Sequence, residues 1–291
     1  MPYYALCLAV FAVAWLLNLL TITVGYHRSL AHKSVVLHPA LRKLVILGGN
    51  WLTGLDPKAW IVMHRLHHEH SDTPQDPHSP VNVGIAGIGL EQLRNYKRVI
   101  IGLLKQKPEY TRYARDLDFP LNALTRAGRW WLPYAVHAAV GVALAAFVGP
   151  LLGAAYFLGV MSHPLQGGIV NSLGHAMGGR NFETSDNSRN NHFAAWLILG
   201  EGFQNNHHQY PGSASFSYRK HEIDLGYAAC VALESMGLAE IDRAHLIPAP
   251  PLPARKVSYL RERTHKSATG VMQESIELTW RPVTKASSPP P

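Results

Sequence analysis

The sequence predicts an all-α, polytopic membrane protein. It should have about three transmembrane helices, interfacial helices and a cytosolic, histidine-rich di-metal domain. Three observations predict this. Hydrophobic residues make up 47% of the 291-residue chain and charged residues only 16%, against about 25% charged in ordinary soluble domains. Long apolar runs alternate with polar segments, so the mean hydropathy of −0.03 averages two kinds of sequence. Seventeen histidines stand against two cysteines, which favours imidazole over thiolate chemistry and leaves no disulfide framework or C-x-x-C site.

Taken in order, Tyr3 to Val24 is almost unbroken apolar sequence, long enough to cross a bilayer. It lacks the basic start of a cleaved signal, and it runs straight into His27 and His32. Arg28, Lys33, Arg42 and Lys43 follow, which places that end in the cytoplasm. Residues 44–55 are apolar but short and glycine-broken, as suits an interfacial or re-entrant segment. Asp56-Pro57 opens a helix that carries Trp60, expected as an interfacial aromatic, and the cluster His64, His67 and His68. Residues 72–78 form a turn-rich exit. Residues 84–104 read as a surface amphipathic helix, and the Arg-rich stretch 105–129 as cytosolic.

A second span covers 130–148. Gly149-Pro150 makes an outer turn, and a third span over 151–170 returns toward Asn171 and His175. An amphipathic helix is expected over 223–238. Residues 1–247 then form one domain, and the Pro- and Ser-rich stretch 248–291 reads as disordered. Three spans place the N-terminus outside and every histidine cluster on the cytosolic face. The net charge of +8 is spread over the segments between apolar runs, as the positive-inside rule dictates. No nucleic-acid partner is implied. A basic cytosolic face suits membrane lipids, an acidic carrier protein or an acidic redox partner.

On an α-helix, positions i, i+3 and i+4 share a face, so His64, His67 and His68 point into one volume. His67 and His68 lie roughly 100° apart, which lets them serve two neighbouring metals. His27 and His32, five apart, fall roughly 140° apart on the same helix geometry. With His175, His207 and His208 the set reaches eight imidazoles; Asn171 and Gln204 are weaker or water-mediated candidates. One zinc takes three or four ligands, so this set is enough for two metals. Imidazole suits iron, zinc, copper and nickel. The pair of E-x-x-H motifs that soluble di-iron bundles carry is missing from the sequence. His38, His78, His137, His192, His221 and His245 stand apart and are expected to be structural or solvated. His70 and His163 are expected not to be ligands. A zinc or nickel transporter is a rival reading. It needs polar residues in the midst of the spans, whereas these clusters sit at span ends.

The motif set resembles the membrane fatty acid desaturase family: H-x4-H, H-x-x-H-H with a D-P-H exit, N-S-x-x-H and G-E-G-F-x-N-x-H-H. The likeness is greatest to the stearoyl-CoA, or Δ9 acyl, class and covers roughly residues 11–238. It implies a di-iron oxidoreductase that uses dioxygen and two electrons to remove two hydrogens from adjacent methylenes. It implies two iron ions held by His27, His32, His64, His67, His68, His175, His207 and His208. Asn171 matches an asparagine that reaches iron through water, and Asp76 and Glu201 match acids that accept the outer N–H of ligand imidazoles.

Gln204 departs from that class, which has a histidine there. The departure opens same-fold alternatives: hydroxylation, acetylenic bond formation or terminal-alkene-forming decarboxylation of an acyl chain. The family also has a hydrophobic hairpin before the first box, where this chain has one helix. The implied partners are a fatty acyl substrate on CoA, carrier protein or lipid, and an external electron donor such as a ferredoxin, rubredoxin or cytochrome. The physical logic stands beside the likeness: a methylene offers no acid, leaving group or nucleophile, so a metal must supply the reactivity.

Overall fold

A computed structural model describes residues 2–248 and the backbone of 259–266 and 272–279. The chain divides into two units, Met1–Pro248 and Ala249–Pro291. In the second, Tyr259–Lys266 and Met272–Thr279 pair as antiparallel strands. The disorder expected over 248–291 falls otherwise outside the described residues. The first unit is mostly helical, as expected, and the rest of the description concerns it.

Helix α1 (Tyr3–Leu20) continues without a break into a π-helix over Thr21–Ala31. Together they form the one helix, among the described residues, that is long and apolar enough to cross a membrane. The π segment changes the geometry of the first histidine pair. In a π-helix each N–H bonds the carbonyl five residues back, and the His32 N–H donates to the His27 carbonyl at 3.0 Å. Residues five apart therefore stack on one face, and the two rings lie 5.0 Å apart. The 140° separation expected of an α-helix does not apply.

Strand β1 (Val35–Leu37) leads into α2 (Pro39–Thr53). Gly54 ends α2 at φ +76° and returns its N–H to Asn50, a left-handed cap that costs glycine little. The chain then turns into α3 (Pro57–His70). Asp56 caps α3 by accepting from the Lys58 and Ala59 N–H groups, and its other oxygen accepts from Asn122 N–H at 2.7 Å. That one carboxylate fixes both the start of the histidine-bearing helix and a distant loop. Helix α4 (Pro80–Leu104) is interrupted at Gly84, whose φ is +68°. The segment from 105 to 129 holds only the short α5 (Pro108–Thr111), a 3₁₀ turn and α6 (Ala123–Arg126).

Helices α7 (Leu132–Phe147) and α8 (Pro150–Val160) form a tight hairpin. A Cβ at Gly153 would lie 2.2 Å from the Gly141 carbonyl, and one at Gly159 would meet Ala14 and Phe11 of α1. Small residues thus let α7, α8 and α1 approach backbone to backbone. The third apolar run does not continue as one helix to Val170. It breaks at Met161–Ser162 and restarts as α9 (His163–Ala176). Pro164 lacks an N–H and restricts His163 before it, a punctuation the hydropathy pattern hides.

Helices α10 (His192–Leu197), α11 (Gln204–Gln209) and α12 (Leu225–Ser235) follow, the last within the expected 223–238. Strand β2 (Ala239–Ile241) then pairs antiparallel with β1, Val36 opposite Glu240. The main core joins the π-helix, α3 and α4 through Tyr26, Ile61, Val62, Val99 and Ile100. It holds the two histidine-bearing helices at a fixed distance.

Candidate metal centre

Four elements deliver imidazoles to one region: the π-helix, α3, α9 and α11. The imidazoles sort into two groups, with His67, Asp76 and His78 as a third set that overlaps the second and brings in His78, which the sequence had set apart. His27, His32, His64, His68 and His207 each offer a ring nitrogen within 4.8 Å of the others. The Nε2 atoms of His27 and His207 are 3.0 Å apart, those of His32 and His64 2.7 Å, those of His64 and His68 3.1 Å, and those of His68 and His207 3.0 Å. His67, His175 and His208 form the second group by the same measure. The adjacent pairs 67/68 and 207/208 each send one ring to each group, as the 100° helical step requires.

The second group is a direct test of whether a cation fits. The His67 Nδ1 donates to Asp76 at 2.9 Å, the His175 Nδ1 to Asp72 at 2.8 Å, and the His208 Nδ1 to Asp186. Each carboxylate holds the ring proton on Nδ1, so Nε2 carries a lone pair. All three Nε2 atoms are buried and lack a partner among the described residues. Buried polar atoms are ordinarily paired, and three converging lone pairs with carboxylates behind them are the arrangement metals use. In the first group the His27 Nδ1 meets Glu201 at 2.7 Å, with the same consequence at Nε2.

The electrostatics divide the rings: burial would lower His67, but Asp76 beside it raises it above the usual histidine range. Burial and the neighbouring imidazoles push His32, His64, His68 and His207 well below the usual histidine range, so they stay neutral donors. Burial, offset only in part by Asp186, lowers His208 to about 4. Burial would raise the Glu201 carboxyl, but His27 and Arg28 beside it hold it down at about 2. Arg28 is itself fully buried. It donates to Glu201 at 2.8 Å and to Asp224 at 3.0 and 3.1 Å, and its guanidinium lies 3.9 Å over the Phe216 ring. The chain Asp224–Arg28–Glu201–His27 leaves the first imidazole little freedom.

All eight histidines expected from the sequence therefore fall in the two groups. Asp76 and Glu201 lie against the Nδ1 atoms of His67 and His27. Asp72 and Asp186 lie likewise against those of His175 and His208 and were missed. Asp72 sits four residues before Asp76 in the same non-helical exit turn. Asp186 lies in a loop 22 residues before His208 and carries no local signal. Asn171 and Gln204 line the cavity beside His64 and His67.

Trp60 is not an interfacial aromatic. Its indole stacks on His64, 5.0 Å between centroids and 11° between planes, and donates to His163 Nε2 at 3.2 Å. His78 is buried against His67 with ring centroids 4.5 Å apart. His38, His137, His192, His221 and His245 lie elsewhere. His38 caps α2, and His137 joins α7 to Trp51 and Tyr156.

The cavity beside the imidazoles has a volume of about 70 Å³. It shares Trp60, Met63, Gln92 and His163 as walls with a second cavity of about 310 Å³. The latter is apolar and aromatic, lined by Leu55, Leu93, Tyr96, Trp130, Trp131 and Tyr134. The chamber beside the imidazoles thus adjoins a larger apolar cavity, a lining suited to an alkyl chain.

A profile of the family described as fatty acid desaturase matches residues 2–224. The chain belongs to the fatty acid desaturase family. The desaturase is 31% identical to a hex-5-enoyl-[acyl-carrier protein] acetylenase of Moorena producens (strain JHB), over 77% of this chain and 73% of that one. It is 30% identical to an acyl-CoA C20 Delta5-desaturase of Anemone leveillei, over 80% and 71%. It is 29% identical to an sn-1 stearoyl-lipid 9-desaturase of Anabaena variabilis, over 77% and 79%. Other relatives are longer, and the desaturase spans 60% of an icosanoyl-CoA 5-desaturase of Limnanthes douglasii. Family membership makes it an oxidoreductase acting on fatty acyl chains and sets the transporter reading aside.

Proposed function

We propose that this desaturase introduces a double bond into a fatty acyl chain with two iron ions. One is held by His27, His32, His64, His68 and His207. The other is held by His67, His175 and His208, with Gln204 and Asn171 as oxygen donors, direct or through water. The observation that carries the reading is the set of three buried, unpartnered Nε2 atoms, each backed by a carboxylate on Nδ1.

Iron bound there would supply the oxidising power that an unactivated methylene demands. The protein's own contribution is positional. Asp72, Asp76, Asp186 and Glu201 fix the tautomer and the plane of their imidazoles. The aromatic cavity excludes water and fixes which carbons of the chain lie at the chamber beside the histidines. Electrons come from an external ferredoxin, rubredoxin or cytochrome, for which Arg94, Lys97 and Arg98 offer exposed positive charge on α4.

The same reading takes residues 1–247 as an integral membrane domain with α1, α7 and α8 as its spans and the metal centre on the cytosolic side. Support comes from the apolar side chains those helices expose, among them Leu8, Val142, Phe147 and Leu158. Helices α7 and α8 are shorter than a full crossing, which their shared hairpin and a locally thinned bilayer accommodate.

A second reading, acetylenic bond formation on the same fold, draws on Gln204 and on the acetylenase relative. Expression in a host with a known lipid profile, followed by mass spectrometry of its acyl chains, separates the two. New monoenes that vanish with His67→Ala support desaturation. Alkynes support the second reading. An unchanged profile from folded, iron-loaded protein contradicts both.

A further inference from the structure

The chamber beside the histidines carries amide groups that an alkyl chain does not need, and they have fixed directions. Gln166 lies on α9 at 2% exposure and lines the chamber. Its amide nitrogen donates to Ser162 Oγ at 2.7 Å, and Ser162 spends its own proton on the Gly159 carbonyl at 2.6 Å. Ser162 can therefore only accept from Gln166, which settles the amide orientation. The Gln166 carbonyl oxygen is turned the other way, buried, with no donor in reach among the described residues.

Gln92, on the wall between the two cavities, repeats the device. Its nitrogen donates to the Pro164 carbonyl at 2.6 Å, an acceptor-only group, so its oxygen is turned away from that contact. Gly167 leaves space for that oxygen: a Cβ there would sit 3.1 Å from it. Gln204 spends its nitrogen on the Glu201 carbonyl at 2.6 Å. These amides border a site whose remaining walls include Leu19, Ile22, Met63, Val170 and Ile198, and of the three oxygens that of Gln166 is buried with no partner among the described residues.

A buried acceptor stranded against a methylene carries a desolvation penalty, and a site built around one discriminates for a ligand that can donate to it. Resting on the desaturase reading of the cavity, we propose that the substrate carries a hydrogen-bond donor, O–H or N–H, near its oxidised carbons, and that Gln166 and Gln92 receive it. Gln166 precedes Asn171 by five residues on α9, about 8 Å along the helix axis, so the donor lies a few methylenes from the metal-facing carbons. Two sources share this chemistry: a hydroxyl on the acyl chain, and an amide N–H of a pantetheine arm when the chain is short enough to draw the arm inside.

The test uses the purified full chain in lipid nanodiscs, with binding followed by the fluorescence of the cavity tryptophans. The probes share one acyl length: the plain acyl ethyl thioester, ethyl thioesters hydroxylated at successive carbons, and the plain acyl N-acetylcysteamine thioester, which adds an amide N–H. At least one donor probe should bind about tenfold or more tightly than the plain thioester. A hydroxylated winner identifies the chain as the source, and an N-acetylcysteamine winner the arm. Gln166→Met should bring that probe down to the plain probe's affinity, and Gln92→Met should lower it in part; the second variant serves if the first does not fold. Equal or tighter binding of the plain thioester, or a preference untouched by both substitutions, overturns the inference. Product analysis on the same preparations keeps the two readings distinct: a new double bond without donor preference sinks this inference and leaves the desaturase standing.

Discussion

The two imidazole groups share helices yet are held together differently. Helix α3 gives His64 and His68 to one and His67 to the other; α11 gives His207 to one and His208 to the other. The first group has five rings, and only His27 among them has a carboxylate on its outer nitrogen. The second has three rings, and every one has a carboxylate behind it. Ligand number and ligand bracing trade against each other. A carboxylate on the outer nitrogen makes an imidazole a stronger donor and fixes its plane, so three braced rings can match a larger unbraced set. The three-ring group is then the more fragile, because each loss removes a third of its imidazoles.

His67→Ala tests that fragility and should have the largest effect. It leaves two rings and a buried Asp76 without its partner. Iron should fall from two toward one per chain, and unsaturated product should drop by more than about 100-fold, read by iron assay and lipid mass spectrometry. His64→Ala leaves four rings and should retain more iron; equal loss would erase the distinction between the groups.

Next comes Arg28→Met, which strands Glu201 and Asp224 inside the protein. Breaking a buried pair in this way costs about 3–5 kcal/mol, visible as a lower midpoint in chemical unfolding. Asp186→Asn keeps the shape but removes the charge behind His208. Chelator competition should show metal binding about 10–100-fold weaker at one site of two, while the corresponding Glu201→Gln change should alter metal binding less. The smallest effect is expected for Gln204→His, which adds a fourth ring to the smaller group. Its metal affinity should rise by less than about tenfold, and no rise would place Gln204 outside that group.

How far the sequence revealed this follows from what each signal depends on. The clustering of His64, His67 and His68 was legible because helical spacing is local: the three declare their face in five residues. The pairing of His27 with His32 was legible only as a suspicion, because a π-helix has no compositional signature and the α-helical period gave the wrong angle. Trp60 was misplaced for a related reason. Its partner His163 lies 103 residues away, and an aromatic one turn before a histidine cluster looks the same whether it faces lipid or a ring. Asp186 illustrates the limit, since only tertiary folding brings its loop behind His208. The break between α8 and α9 was legible in His163-Pro164 but was overridden by hydropathy, which sums over the very residues that punctuate it.

The most direct test of the account is anomalous scattering at the iron edge from crystals of the iron-loaded protein. The account predicts two peaks, one among His27, His32, His64, His68 and His207 and one among His67, His175 and His208. A single peak, or a peak at neither group, would contradict it.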